Sequence, residues 1–385
     1  MTSHGVPRAS TAPRTAQAIE EDRVKIDAYN ALVGEVQGLK ASKTYTKASL
    51  LSTSSLLEQN PEFNTIWNFR RRIVLHLLTS PEEVAQSEGT EEEKEEKEKE
   101  ENKLSLLSSE LTFLLPLLQK FPKCYWIWNY RLFILQTASE KLSLVTALKL
   151  WKAEMGLVNK MLSRDSRNFH GWGYRRYLVQ SIEKLQEQQR SEEKEEKSSG
   201  KDDDEEESLV EQEFAYTTAM YGKDLSNFSA WHNRSKLIPR MLTERGATLE
   251  ERITFLDGEL GEMQTAVYTD PYDQSIQLYN HWLLLESCSP NSSPSDTSEV
   301  FPLATDQKSE TLLRTLDWMR ELLEEEPECR LLLEEMIFVG GLLRAVGGGD
   351  VDDEGVRADM QAWLEKLMEV DPMRGGRWRE MKDKL

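Results

Sequence analysis

The sequence predicts an all-α fold, an α-solenoid in which helical hairpins stack into a crescent-shaped superhelix. A Trp followed three residues later by an Arg recurs along the chain. Apolar residues return six and seven positions after each Trp, which keeps one apolar face on a helix. Stretches with the period-two alternation of strands are almost absent.

The repeats are centred near residues 67, 128, 172, 231 and 277, with spacings of 61, 44, 59 and 46 residues. The two longer spacings contain acidic insertions, and without these the period falls to roughly 40, the size of a two-helix repeat. The fifth copy has Gln277 and Asn280 in place of Trp and Arg. The Trp residues are expected in the core, and the Arg residues are expected to bond to carbonyls or acids between hairpins, or to a partner chain. These repeat residues are Trp67, Trp128, Trp172, Trp231, Arg70, Arg131, Arg175 and Arg234.

The segments between the repeat motifs also have helical patterns, so each repeat is predicted to be a helix, a turn and a helix. Pro61, Pro122 and Pro271 each lie six residues before the Trp position, which is typical of a helix entry. We expect one repeat domain over residues 1–385, with C-terminal helices within 309–370. Helices are predicted over 16–36, 47–58, 64–78, 104–118, 142–161, 209–221, 309–325, 329–346 and 356–370.

The chain is acidic, with 48 Lys and Arg against 68 Asp and Glu and a net charge of −20 among 385 residues. This charge argues against a nucleic-acid-binding protein, which needs a clustered basic face. The runs 88–101 and 192–207 together carry −13 of the charge and have no apolar stripe. We interpret residues 82–103 and 186–208 as solvated, disordered insertions. Recruitment of a basic partner is the alternative.

Three cysteines form no disulfide framework, and the N-terminus has no apolar signal region. No run approaches the length of a membrane span. The five histidines show no H-x-x-x-H spacing and the cysteines no C-x-x-C, so no metal site is expected in this chain. These features favour a soluble, cytoplasmic protein without a transmembrane segment.

Five repeats with an Asn-rich entry, a Trp and an Arg resemble those of protein prenyltransferase α subunits. Four further segments are similar to the α subunits of the type II enzymes, the Rab geranylgeranyltransferases. They are His4-Gly-Val-Pro-Arg8, Asp165-Ser-Arg-Asn-Phe-His170, Asp270-Pro-Tyr-Asp-Gln-Ser275 and Asp371-Pro-Met-Arg374.

The resemblance implies a heterodimer that is inactive without its β subunit. The complex would transfer geranylgeranyl from geranylgeranyl diphosphate to C-terminal cysteines of Rab GTPases, with an escort protein, and the β subunit would supply zinc. One alternative is the α subunit shared by farnesyltransferase and geranylgeranyltransferase type I. The other is a TPR-like non-enzymatic adaptor, although TPR repeats have a shorter period and a different consensus.

The resemblance also implies roles for three residues. Arg167 matches the position of an α-subunit Lys that contacts the diphosphate, and its alternative is a surface Arg on a loop. Tyr216, fifteen residues before Trp231, matches a Tyr near the diphosphate, and its alternative is a packing aromatic. His4 is a possible occluding ligand to the β-subunit zinc, and its alternative is a residue of a loose tail.

Overall fold

A computed structural model of the chain describes residues 15–79, 92–196, 208–291, 299–347 and 352–385. Helical hairpins make up this part of the chain. The two helices of each hairpin pack against each other, and the turns within the hairpins are short. The predicted all-α hairpin fold is therefore confirmed. The chain divides into two units, residues 1–199 and 200–385, which are described separately.

Unit 1 contains a first helix followed by three hairpins. Its helices are α1 Ala16–Ala41, α2 Lys47–Gln59, α3 Asn64–Thr79, α4 Glu92–Lys120, α5 Tyr125–Lys141, α6 Leu144–Arg164 and α7 Phe169–Glu196.

Unit 2 contains three hairpins, a long helix and a short final helix. Its helices are α8 Leu209–Tyr221, α9 Phe228–Glu244, α10 Leu249–Thr269, α11 Gln274–Cys288, α12 Thr305–Glu325, α13 Arg330–Val346, α14 Asp353–Val370 and α15 Gly375–Asp383. The sequence analysis predicted no separate helix at the positions of α10 and α15.

The acidic insertions contain more helix than the sequence analysis expected. Residues 92–103 and 186–196 continue α4 and α7, because Glu, Lys and Gln are strong helix formers even without a face to bury. The side chain of Glu100 accepts hydrogen bonds from the backbone nitrogen and hydroxyl of Ser143, at 2.9 and 2.6 Å, at the start of α6. These bonds lower the pKa of Glu100. Residues 82–91 and 197–207 lie outside the described residues.

The three prolines lie in the turns rather than at the first helical position. Pro61, for example, precedes the first residue of α3 by three positions. The indole nitrogen of each repeat Trp donates a hydrogen bond to the carbonyl of the residue six positions earlier, which closes this turn onto the helix. The distances are 2.8 Å for Trp67 to Pro61, 2.9 Å for Trp128 to Pro122, 2.9 Å for Trp172 to Ser166 and 2.7 Å for Trp231 to Leu225.

The same carbonyls also link one repeat to the next. The carbonyl of Pro122 accepts a second hydrogen bond from Asn168 Nδ2 at 3.0 Å, and the carbonyl of Pro61 accepts one from Cys124 Sγ at 3.5 Å. Each of these donors lies four residues before the Trp of the following repeat. The turns therefore form a continuous hydrogen-bonded row within unit 1.

The fifth copy keeps the turn bond although it lacks the Trp. Gln277 is 5% exposed, and its Nε2 donates to the carbonyl of Pro271 at 3.4 Å. The amide has less volume than an indole, and a cavity of about 790 Å³ lies beside it among α11, α13, α14 and α15. His281 and Trp378 also line this cavity.

We expect Trp172→Ala to lower the free energy of unfolding by roughly 3–5 kcal/mol, because it deletes a large side chain that is 2% exposed together with its turn bond. Denaturant unfolding measures the effect. The control is Phe169→Ala in the same helix, which removes a side chain that is 70% exposed. Equal stability of the Trp172 variant and the wild type would contradict the structural role of the indole.

Candidate functional site

The turn between α6 and α7 is held rigidly by Asn168, which is 3% exposed. Its side-chain oxygen accepts from the backbone nitrogens of His170 at 3.0 Å and Gly171 at 3.2 Å, and so caps α7. Its nitrogen donates to the carbonyl of Pro122 in the preceding turn. The backbone on both sides of Asn168 is therefore fixed.

Arg167 lies directly before this anchored Asn and has an exposed side chain. The fixed turn positions its backbone, and the residue as a whole is exposed. A guanidinium presents a planar set of N–H donors that matches two oxygens of a phosphate. The geometry is thus compatible with the anion contact predicted for Arg167, which remains a prediction.

Aromatic side chains surround the turn and form what we call the aromatic patch, namely Tyr125, Phe169 and His170. Tyr125 is 52% exposed and Phe169 is 70% exposed. The ring of His170 lies 4.0 Å from that of Phe169 and 6.2 Å from that of Tyr125, centroid to centroid. Burial lowers the pKa of His170, which favours its neutral form at pH 7. Exposed aromatic rings grouped in this way are typical of a protein interface.

Two of the three predicted site residues lie in units that are described separately. Tyr216 is half-buried in α8 of unit 2, whereas Arg167 belongs to unit 1. His4 lies outside the described residues. The proposed roles of Tyr216 and His4 therefore remain predictions.

The described residues contain no group of three or more His, Cys, Asp or Glu side chains that would hold a metal ion. None of the described helices combines the length and apolar character needed to cross a bilayer.

The sequence analysis missed a set of buried glutamates that pair with the repeat arginines. The Nε and Nη2 of Arg70 donate to Glu110 at 2.7 and 2.8 Å, and Arg131 binds Glu154 at 3.0 and 2.5 Å in the same way. In each case the Glu belongs to the first helix of the next hairpin.

Each of these carboxylates also accepts a hydrogen bond from a Tyr of its own hairpin. The partner of Glu110 is Tyr130 at 2.7 Å, and that of Glu154 is Tyr174 at 2.6 Å. Burial raises the pKa of both phenols well above the usual value, so both remain donors at neutral pH. The rings of these two Tyr pack 4.9 and 5.1 Å from those of Trp67 and Trp128.

Unit 2 repeats the arrangement with Arg234, Glu259 and Tyr279. Arg234 Nε donates to Glu259 at 2.9 Å, and the Tyr279 hydroxyl donates to the same carboxylate at 2.6 Å. The signal was present in the sequence, because a Glu stands eighteen residues before each later Trp or Gln of the repeat. These positions are Glu110, Glu154, Glu213 and Glu259.

The repeat matches a known family. The profile described as "Protein prenyltransferase alpha subunit repeat" matches residues 47–77, 107–138, 151–182 and 210–241. Each matched segment ends after a Trp and its Arg, so the family repeat coincides with the geometry described above.

Similarity to whole proteins extends beyond the repeats. The "Geranylgeranyl transferase type-2 subunit alpha" of Candida albicans is 31% identical over 398 aligned positions, which cover 97% of this chain and 96% of that protein. The chain belongs to the family of type 2 geranylgeranyl transferase α subunits. The Schizosaccharomyces pombe member is 32% identical, with 99% of this chain and 98% of that protein covered. The Rattus norvegicus member is 29% identical, but the match covers only 41% of that longer protein.

A solved structure shows the same fold as this family member. "Candida albicans protein geranylgeranyltransferase-I complexed with GGPP" matches with a TM-score of 0.59 and 17% identity, covering 93% of this chain and 90% of that one. At this identity the match supports the helical-hairpin architecture alone.

We expect Glu154→Gln to lower the free energy of unfolding by roughly 3–5 kcal/mol, because it leaves the buried cation of Arg131 without its counter-charge. Adding Arg131→Met to this variant is expected to recover part of the loss, since the unpaired charge is then removed. Denaturant titration of the single and double variants measures the coupling. The exposed Glu140 in α5 gives the control, and Glu140→Gln is expected to change stability by less than about 0.5 kcal/mol. A double variant no more stable than Glu154→Gln alone would contradict the charge-pair explanation.

Proposed function

We propose that this chain is the α subunit of a heterodimeric Rab geranylgeranyltransferase. The complex transfers geranylgeranyl from geranylgeranyl diphosphate to C-terminal cysteines of Rab GTPases that an escort protein presents. The near full-length match to the type-2 α subunit of Candida albicans carries this proposal. The assignment to Rab substrates, rather than to free C-terminal peptides, rests on the type-2 identity of the relatives.

The proposal includes a second chain. Prenyl transfer to cysteine needs a thiolate. In keeping with the family resemblance, zinc and thiol activation are assigned to the β subunit, and no step of that activation is assigned to residues of this chain. The exposed rings of Tyr125 and Phe169 support a docking surface for that subunit on unit 1.

Arg167 is the residue of this chain to which we assign a part in the reaction. Cleavage of the allylic diphosphate leaves negative charge on the departing oxygens, and positively charged donors stabilise that charge. The turn fixed by Asn168 contains the exposed Arg167, two positions before Phe169 of the aromatic patch, where the partner would dock. We assign the reaction to the cytoplasm, since all three cysteines of the chain are buried free thiols.

Co-expression with the β subunits of the same organism tests the proposal. Stable co-purification with the type II β subunit, and escort-dependent labelling of a Rab by radiolabelled geranylgeranyl diphosphate, are the expected results. Labelling of a free CaaX peptide together with the other β subunits would move the chain to the farnesyltransferase and type I class. The absence of a complex with any β subunit would contradict an enzymatic role.

In that complex, we expect Arg167→Ala to lower the single-turnover rate of Rab prenylation about 10- to 100-fold, the size of one lost charged hydrogen bond. Arg167→Lys keeps the charge but loses the planar donor pair, so an intermediate rate is expected. Arg164→Ala, at the exposed end of α6, is the control with an unchanged rate. Wild-type turnover of the Arg167→Ala complex would remove this residue from the reaction.

A further inference from the structure

Arg70 and Arg71 are consecutive in α3 but have opposite environments. Arg70 is 2% exposed and bound by Glu110, whereas Arg71 is half-buried and contacts residues of α5. The terminal nitrogens of Arg71 donate to the side-chain oxygens of Asn68 at 2.9 Å and Asn129 at 2.5 Å. Its guanidinium is thus held in place by neutral acceptors.

Aromatic rings cover part of the same cation. The guanidinium carbon lies 5.3 Å from the ring centroid of Phe133 and 5.9 Å from that of Tyr130. Rings near a guanidinium stabilise it through their faces but do not neutralise it. Burial lowers the pKa of Arg71, although an arginine stays protonated at any physiological pH.

No carboxylate of the described residues lies within ion-pair distance of Arg71, and its Nε is buried without an acceptor. The more deeply buried Arg70, Arg131 and Arg234 each have a carboxylate partner. Partly desolvating a cation costs free energy unless an opposite charge compensates it. Arg71 is therefore a half-buried arginine for which the described residues supply no counter-charge.

Arg71 is joined to the aromatic patch through Asn129. The Nδ2 of Asn129 donates to the Tyr125 hydroxyl at 3.3 Å, while its oxygen accepts from Arg71. One turn further along α3, Leu75 is 37% exposed. An ordered arginine beside exposed aromatic and aliphatic side chains has the composition of a binding hot spot.

We propose that Arg71 receives an aspartate or glutamate side chain of the β subunit, and that the resulting ion pair is buried when the heterodimer forms. The proposal rests on the function proposed above and adds a specific contact to it. Because the guanidinium is already ordered by two amides and two rings, little side-chain entropy is lost on pairing. The groups around the cation are neutral, so the site matches a single carboxylate better than a diphosphate.

The test is the dissociation constant of the heterodimer, measured with purified subunits at several salt concentrations. We expect Arg71→Met to weaken binding at least about 10-fold and to flatten its salt dependence, because truncating one member of a buried ion pair leaves the other unpaired. The exposed neighbour Arg72 gives the matched control, and Arg72→Met is expected to stay within about threefold of wild type.

A second variant separates this role from a structural one. Asn129→Asp places a carboxylate of this chain against Arg71, so we expect the isolated chain to melt at a higher temperature while the heterodimer weakens. A purely structural role for Arg71 predicts that stability and affinity change in the same direction. The melting temperature of Arg71→Met should not fall, since the variant removes an uncompensated cation.

The remaining outcomes have distinct meanings. Wild-type affinity of the Arg71→Met chain for the β subunit would overturn this inference and leave the proposed function intact. Failure of the wild-type chain to bind the β subunit would instead refute the proposed function. Binding of inorganic diphosphate to the isolated chain is measured by calorimetry. Binding that Arg71→Met abolishes and Arg72→Met retains would show that the ligand is a phosphate, and would overturn the carboxylate assignment.

Discussion

A buried carboxylate shared by two neighbouring hairpins is the interaction on which the repeat stack depends. Glu154 accepts from Arg131 of the preceding repeat and from Tyr174 of its own, and both donors are almost fully buried. Three charged or polar groups placed in a core are tolerated only when all of them are satisfied together. The spacing of Arg and Tyr relative to Trp therefore determines how one hairpin is positioned on the next.

The fifth repeat shows what happens when this arrangement changes. Asn280 replaces the Arg, and Glu335 of α13 accepts from its amide at 3.3 Å and contacts His281 Nδ1 at 3.1 Å. Without an Arg as counter-charge, burial raises the pKa of Glu335. Gln277, His281 and Glu335 line the cavity next to α15. The departures seen in the sequence thus alter the packing locally, while the hairpin itself is retained.

The proposed functional surface follows from the same framework. In α3 the buried Arg70 holds the stack, whereas the next residue, Arg71, is only half-buried. Arg70 is neutralised by Glu110, and Arg71 has no carboxylate partner among the described residues, which is the basis of the proposed ion pair with a partner. The Asn168 cap has a similar double effect, because it joins two turns and at the same time fixes the backbone next to Arg167.

The sequence by itself determined the helical-hairpin fold, the register of the repeats and the resemblance to prenyltransferase α subunits, because periodicity and a repeated motif are local properties. It predicted Arg167 only through the family pattern. Only the tertiary structure decided which glutamates neutralise the arginines, since Arg70 and Glu110 lie forty residues apart and meet through packing. For the same reason, the missing counter-charge of Arg71 became visible only when every neighbour of its guanidinium was known.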